Sequence, residues 1–493
     1  MRISAYYHLP YTQGSLEFVD VDSLNDTKLY IDPRAIKDLD TDWAKECVAL
    51  MQNFFSVVIR EIQASHHHKA LGLLRNLSEP NETRLGLSEH RARGRAVGEI
   101  LSEDIWDALT NSEAARTGLL EDLEDTALLI EGIGYDLISD MTTNIIRSQL
   151  IKFTEEMVEK YGNIGTRQGV YVGPIWDRHQ EKWITRLNTV PFISPVGPLL
   201  LVPKSIVRRN KMTFDPGEYL THYILPRLQS DELQANSPLV EVLKSGKRRV
   251  TKVSLRKKHH LIAEDNSEEP ELRSGKSLNL EITLDHPEIL DDYRESKQRS
   301  LPVLNHEEMS VATETPLPDW DKLLQDVLDV PPGRPDASRY HLAVEALFTA
   351  LFYPALDFMK HEFPVHQGRK RIDITYTNLA RSGFFDWVNR VVNAPAHVVY
   401  VECKNYRKDV GHPELDQIRG RFTNHSSNLG LMVFRSTSDK GLIEQGCRDT
   451  ALAGHGFIIA LDDNDLRALV EERKANPDGI EFQLIRQKYD ALV

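Results

Sequence analysis

Apolar and polar positions change period several times along the chain, and the change is sharpest in its last third. Val398 to Val401 is an uninterrupted run of β-branched and aromatic residues, followed at once by Glu402-Cys403-Lys404-Asn405. Such a run predicts a buried strand that turns polar only at its exit. Arg371-Ile-Asp373-Ile-Thr-Tyr376 reads as a strand before it, with a helix around Phe384 to Val392 between the two. Tyr340 to Phe352 is an apolar helix. After the central strand come a helix over Gly411 to Phe422, a strand over Gly430 to Arg435, a helix around Gln445 to Ala453 and a strand over Gly456 to Asp462.

Upstream, Leu16 to Asp32 suggests two short strands whose Asp20, Asp22 and Asp32 suit turns and strand ends. Trp43, Cys47, Leu50, Met51, Phe54, Phe55, Val58 and Ile62 recur at helical spacing and predict an amphipathic helix from Asp42 to about Ala70. Leu119 to Glu131 and Ile133 to Tyr161 are helical, the second opening at Asp136 or Ser139, both competent N-caps. Within it, Asp140, Asn144 and Arg147 form a polar face expected to meet a partner. Gly169 to Val207 turns to short β-rich runs broken by Pro and Gly, and Gly217 to Glu241 returns to helix.

At 493 residues the chain is too long for one ordinary core. The expected division is a mainly helical region with short initial strands over 1–165 and a β-rich mixed region with a basic segment over 166–300. A linker with a short helix, Trp320 to Val330, follows over 301–335, and an α/β domain with a central mixed sheet flanked by helices fills 336–493. The fold class is therefore α/β, with a larger mixed α+β region N-terminal to that domain.

Charged residues at 27% and hydrophobic ones at 41% are the proportions of a soluble globular protein. A net charge of −14 excludes an all-over basic coat, so any nucleic-acid contact must be local. Cys47, Cys403 and Cys447 are not spaced for zinc or for a disulfide framework, which predicts a reducing, cytoplasmic setting. The N-terminal residues lack the apolar core of a signal peptide, and the longest apolar run, Pro198 to Val202, is too short to span a bilayer. No membrane contact is expected.

Candidate chemistry gathers at the end of the central strand. Side chains alternate across a strand, so Glu402 and Lys404 share one face while Val401 and Cys403 take the other. Burying such charges is costly unless they are paired or bound to a metal. Magnesium takes oxygen ligands from one or two carboxylates plus waters and phosphate, and Asp373 supplies a second carboxylate beside Glu402. Lys404 would then orient or help deprotonate an attacking water. Another Glu-x-Lys, Glu295-Ser-Lys297, follows no apolar run and reads as a solvated helix face or loop.

Asp373 followed by Glu402-Cys403-Lys404 on a hydrophobic strand resembles the D...(D/E)xK signature of the PD-(D/E)xK nuclease superfamily, most closely its Mrr-like restriction endonuclease branch. Ile372 stands where the superfamily's name has proline. The resemblance covers the C-terminal third and implies a restriction-endonuclease-like fold with Mg²⁺ as cofactor and Mn²⁺ as a substitute. It implies Asp373, Glu402 and Glu345 as metal ligands, and Glu345, Asp373, Glu402, Lys404 and Gln417 as the catalytic set. Gln417 is included because that helix often carries a glutamine or basic residue beside the scissile phosphate.

Between Lys244 and His260 lies the most basic stretch, with Lys247, Arg248, Arg249, Lys257 and Lys258 as candidate nucleic-acid contacts, joined by Arg419 and Arg421 in the last domain. The acidic run Glu264 to Glu271 follows directly and could neutralise it. Glu89-His90-Arg-Ala-Arg-Gly-Arg95 is a second mixed-charge stretch that reads as solvated surface, and His66-His67-His68 cannot converge on one ion from a regular helix. Arg273-Ser-Gly275-Lys276-Ser277 ends like a P-loop but has Pro270 at the first glycine position, so no nucleoside triphosphate is expected. The function expected is a Mg²⁺-dependent DNA endonuclease of bacterial restriction or anti-phage defence, whose N-terminal region senses, regulates or oligomerises. DNA, a second copy of the chain and a partner subunit of a defence system are its expected partners. An inactive DNA-binding module and a ribonuclease are the alternatives.

Overall fold

The computed structural model describes residues 1–493 except 87–108, 110–111, 118, 195, 264–271, 300, 366–369, 391, 393, 408–409, 424–426 and 436–438, and omits the side chains of 116, 361–365, 370–372 and 412. The chain folds as two compact units: Met1–Asp22, Pro203–Ser205 and Val303–Val493 form the first, Ser23–Val202 and Ile206–Pro302 the second. These units cut the chain differently from the four consecutive stretches read from its sequence.

The first unit is built on helix α1 (Ala337–Leu351), strands β1 (Leu356–Val365) and β2 (Lys370–Asn378), helix α2 (Gly383–Arg390), strand β3 (Val398–Lys404), helix α3 (His412–Arg419), strand β4 (Leu429–Phe434), helix α4 (Lys440–Leu452) and strand β5 (Phe457–Leu461). Helices α5 (Asp463–Ala475) and α6 (Gln483–Asp490) complete it. The strands form one mixed sheet in the order β1-β2-β3-β4-β5. β1 and β2 pair antiparallel, as do β2 and β3; β3 with β4 and β4 with β5 run parallel. Parallel neighbours cannot be joined by a tight turn, so α3 and α4 serve as their crossovers.

Alternation divides β2 and β3 between two faces. Ile374 lies opposite Val401 and Tyr376 opposite Val399, and with Cys403 these residues pack in the core with Val344, Leu347 and Phe348 of α1. Thr375 lies opposite Tyr400 on the other face, where Tyr400 stacks against Phe422 just beyond α3. Every residue of β4 is buried, as its unbroken apolar sequence requires of a strand covered on both sides. Gly430 of β4 lets α3 approach, since a Cβ there would meet Ile418 Cγ2 at 3.0 Å and Phe422 Cζ at 3.2 Å.

The stretch expected as a linker contains a helix, His306–Thr313, closed by a capping box in which Asn305 and Glu308 bond reciprocally. It belongs to the first unit, as do Met1–Asp22. A buried polar cluster ties these remote segments together. Lys204 is 1% exposed; its ammonium lies 3.3 Å from the Gly14 carbonyl oxygen and 4.0 Å above the Tyr353 ring. Buried Asp357 is pushed up to about 6 by desolvation, against the pull of Lys204 and of the Phe358 amide. Asp20 and Asp22 are engaged locally, Asp20 by the Ser4 amide and hydroxyl and Asp22 by the N-terminal ammonium.

In the second unit, the helix Asp42–Gln63 starts at Thr41, whose hydroxyl accepts from the Ala44 amide, and buries Phe54 against Trp176 and Trp183. The long helical pattern splits into Tyr135–Ile145 and Arg147–Tyr161, the second ending at left-handed Gly162. Its first helix opens at Gly134, not at Asp136 or Ser139; the Ser139 hydroxyl accepts from the Ile31 amide instead. Asp140, Asn144 and Arg147 do not face outward, as their polarity suggested, but are buried. Arg147 pairs with Glu82 and donates to Asn144 Oδ1 and the Val172 carbonyl oxygen, so its guanidinium is engaged inside the unit. The β-rich region consists of short antiparallel pieces, the largest pairing Thr166–Tyr171 with Leu187–Ile193.

Asp357 carries a stability prediction. Its folded-state pKa, about 6, is raised above the ordinary 3.8, so its stabilising contribution is complete below about pH 4 and is lost as pH rises through 6. Asp357→Asn should therefore gain on wild type by about 2 kcal/mol between pH 4 and pH 6.5. Urea unfolding followed at both pH values reads this directly, and parallel midpoints for the two proteins would refute it.

Candidate active site

The exit of β3 carries Glu402 and Lys404 onto the face opposite α1. The β2–β3 pairing ends at Ile374 with Val401, one residue short of Asp373 and Glu402. Glu402 is only 2% exposed and would not be tolerated there as a lone anion. Lys404 Nζ donates to Glu402 Oε1 at 2.7 Å and to Gln417 Oε1 at 3.0 Å. The other carboxylate oxygen, Oε2, forms an ion pair with Arg421, itself 6% exposed. Burial holds the Arg421 guanidinium below its ordinary pKa, while the negative charge of Asp373 works the other way. Two carboxylates thus stand beside one ammonium and one guanidinium, and the four formal charges cancel.

Asp373 occupies the end of the sheet rather than its interior. Its Oδ2 accepts from the Cys403 amide at 2.9 Å and lies 3.8 Å from His341 Nε2. The same His341 nitrogen is 3.2 Å from the Cys403 carbonyl oxygen. The ligand atoms of His341, Asp373 and Cys403 all lie within 4.8 Å of one another, and among the described residues this is the one such group of His, Cys, Asp and Glu. Burial pushes the Cys403 thiol well above the usual range, with the charges of Asp373 and Glu345 adding to it.

The expected site residues therefore separate. Glu402, Lys404, Gln417 and Arg421 come together on one face, while the Asp373 carboxylate is held at the Cys403 amide near His341. Glu345 is buried on α1, on the side of Tyr376 and Cys403, whose ionisation its charge opposes. The Tyr376 hydroxyl donates to the Glu345 carbonyl oxygen at 3.2 Å. Arg419 is exposed and pairs with Asp416 at 3.2 Å, while Arg421, expected as a surface contact, is turned inward to Glu402. His341 was not singled out from the sequence. Its signal was its place four residues before Glu345, on the same stripe of α1.

An oxygen-seeking dication fits this arrangement in one respect and is opposed in another. Asp373 and Glu402 offer hard oxygen donors at the ends of β2 and β3, and Glu402 Oε2 is buried with no hydrogen bond of its own. Arg421 already neutralises that oxygen, so an ion there would have to displace the guanidinium.

The basic stretch lies in the second unit as an antiparallel hairpin, Glu241–Val242 with Arg248–Arg249, followed by the helix Lys252–Lys258. Arg249 pairs with Glu241 and Lys258 with Glu232, and Arg248 reaches the Leu233 carbonyl oxygen and Asn236. Lys252 and Arg256 use only the neutral oxygens of Thr221. Lys244 and Lys247 are exposed on the turn. The acidic run Glu264 to Glu271 and the charged stretch from Glu89 to Arg95 lie outside the described residues. Lys276 of the P-loop-like phrase donates to the carbonyl oxygens of Ile130 and Ile133, and Lys297 pairs with Glu218 at 2.8 Å. No helix among the described residues is long and apolar enough to cross a membrane.

No curated protein and no solved structure matches the chain. A family model described as a domain of unknown function, DUF8370, matches residues 8–215, a stretch that ends before the sheet bearing Asp373, Glu402 and Lys404 begins.

Proposed function

We propose that the chain is a Mg²⁺-dependent phosphodiesterase that cuts DNA, with a restriction-endonuclease-like fold of the PD-(D/E)xK type in its first unit. The observation that carries this reading is Lys404 held between Glu402 and Gln417 at the exit of β3, with Asp373 at the adjacent end of β2, its carboxylate on the Cys403 amide. The order helix, three antiparallel strands, helix, parallel strand supports it, because it sets that trio at the end of the central strand of the sheet.

Asp373 and Glu402 would hold Mg²⁺, or Mn²⁺ in its place, and the bound ion would polarise a phosphate and make a water more acidic. Lys404 aims that water, and Gln417 fixes the lysine by accepting one of its protons. Were a dication held at Glu402, Arg421 would have to give up that carboxylate, since the added positive charge beside Lys404 would repel the guanidinium. Once released, its planar fork suits a phosphate oxygen pair. Glu345, beneath the sheet, supports the negative potential that attracts the ion. The exposed Lys244 and Lys247 of the hairpin add sequence-independent attraction to nucleic acid. Restriction or anti-phage defence is the setting we favour, with the second unit as sensor, regulator or oligomerisation module.

Cleavage of supercoiled plasmid in Mg²⁺ or Mn²⁺, abolished by EDTA, is the expected result. Lys404→Ala should lower the rate by about 100-fold or more while plasmid is still retained on gels. Metal-independent DNA retention without nicking would make the protein a binding module instead, and cutting of an RNA substrate alone would make it a ribonuclease.

Arg421→Gln removes the cation that competes for Glu402. Mn²⁺ affinity measured by calorimetry should rise by about tenfold, equivalent to about 1.4 kcal/mol. Unchanged affinity would mean that the guanidinium does not stand where the ion binds.

The hairpin makes a separate claim. Replacing Lys244 and Lys247 with alanine should reduce the slope of log affinity against log salt by about 2, with little change in cleavage at low salt. An unaltered slope would place nucleic acid elsewhere.

A further inference from the structure

We propose that His341, Asp373 and Cys403 form a binding site for a borderline-soft transition metal ion, Zn²⁺ above all, distinct in donor chemistry from the carboxylate pair Asp373 and Glu402. The three come from α1, β2 and β3, and their ligand atoms lie within 4.8 Å of one another. Tetrahedral zinc with arms of 2.0–2.3 Å sets its ligand atoms about 3.3–3.8 Å apart. His341 Nε2 and Asp373 Oδ2, at 3.8 Å, stand within about 0.5 Å of a nitrogen–oxygen edge.

The donors are one imidazole nitrogen, one carboxylate oxygen and one sulfur. Magnesium is indifferent to sulfur and prefers six oxygens, whereas a nitrogen, oxygen and sulfur set selects zinc and its neighbours. Charge points the same way: the cations Lys404 and Arg421 are taken up by Glu402, away from His341 and Cys403. The side chains of His341 and Asp373 are each 21% exposed, which leaves a way in from solvent and a fourth position for water. On binding, His341 Nε2 gives up its contact with the Cys403 carbonyl oxygen, its proton moves through solvent to Nδ1, and the freed lone pair bonds the metal. Cys403 Sγ forms its bond to the metal as its proton passes to the buffer.

Binding of zinc does not require that the protein cut DNA. One consequence does rest on the phosphodiesterase reading: Asp373 serves both ligand sets, so zinc should oppose Mg²⁺-supported cleavage.

The test uses the full chain, stripped of metal and titrated with Zn²⁺, and with Co²⁺ as an optical reporter. One equivalent should bind, with proton release seen as a buffer-dependent heat, and Co²⁺ should give a sulfur-to-metal charge-transfer band. Cys403→Ser should abolish that band, and His341→Ala should weaken Zn²⁺ binding by about tenfold or more. Because Cys403 is buried and its replacement could disturb folding, the partly exposed His341 provides the second variant, checked by circular dichroism. Glu402→Gln should keep the band while losing Mn²⁺ affinity. The proposal is overturned if folded His341→Ala binds Zn²⁺ as wild type does, or if Co²⁺ loads without a sulfur band. Failure of cleavage in Mg²⁺ with the band intact would sink the phosphodiesterase reading alone.

Discussion

A carboxylate buried at the end of a central strand is the constraint that the first unit must satisfy. Moving such an anion out of water costs several kcal/mol even after relaxation, and its removal from a pair is more damaging than the pair is stabilising. Glu402 meets this with a cation on each oxygen: Lys404 from its own strand and Arg421 from the segment after α3. The first partner is local, supplied by the period of two. The second has to be delivered, and delivery sets what the neighbouring elements must be.

The delivering helix can come close only where the strand beneath it lacks side-chain bulk. Gly430 provides that absence, and Ile418 and Phe422 settle over it. Leu415 and Ile418 fix the helix to the core, which places Gln417 against Lys404 and lets Arg421 turn inward. On the other face α1 needs only apolar contact along most of its length, yet at the strand ends it brings His341 to Asp373 and the Cys403 carbonyl. The sheet thus separates a cation-rich side from a side bearing imidazole, thiol and Glu345. Asp373 touches both.

What was legible in the sequence follows from range. The apolar periods of α1, β3, β4, β5 and Trp320–Leu328 are local, and each of these elements was anticipated close to its observed limits. β1 was not, because Leu-Asp-Phe-Met-Lys-His-Glu-Phe-Pro-Val has no clean alternation and contains proline, which sheets accept at an edge. β1 is indeed an edge strand. Affiliations across hundreds of residues were invisible: nothing in Pro203–Ser205 shows that Lys204 will sit by Gly14 and Tyr353. The inward Asp140, Asn144 and Arg147 misled for a related reason, since a polar stripe signals solvent unless its partners, here Glu82 and Val172, are already known.

The same difference in range explains why Glu402, Lys404 and Asp373 could be named together while their counter-charges could not. Spacing within one strand and pairing with its neighbour determine which face the acids share. The identity of the cation that neutralises them depends on where a helix end arrives, and Arg419 and Arg421, two residues apart, look equivalent on paper. Yet Arg419 remains at the surface with Asp416, and Arg421 is drawn into a pocket where the charge of Asp373 partly offsets the cost of its burial. Acids held close together need such a counter-charge, because uncompensated carboxylates would repel one another or take up protons. A guanidinium performs that service without deprotonating.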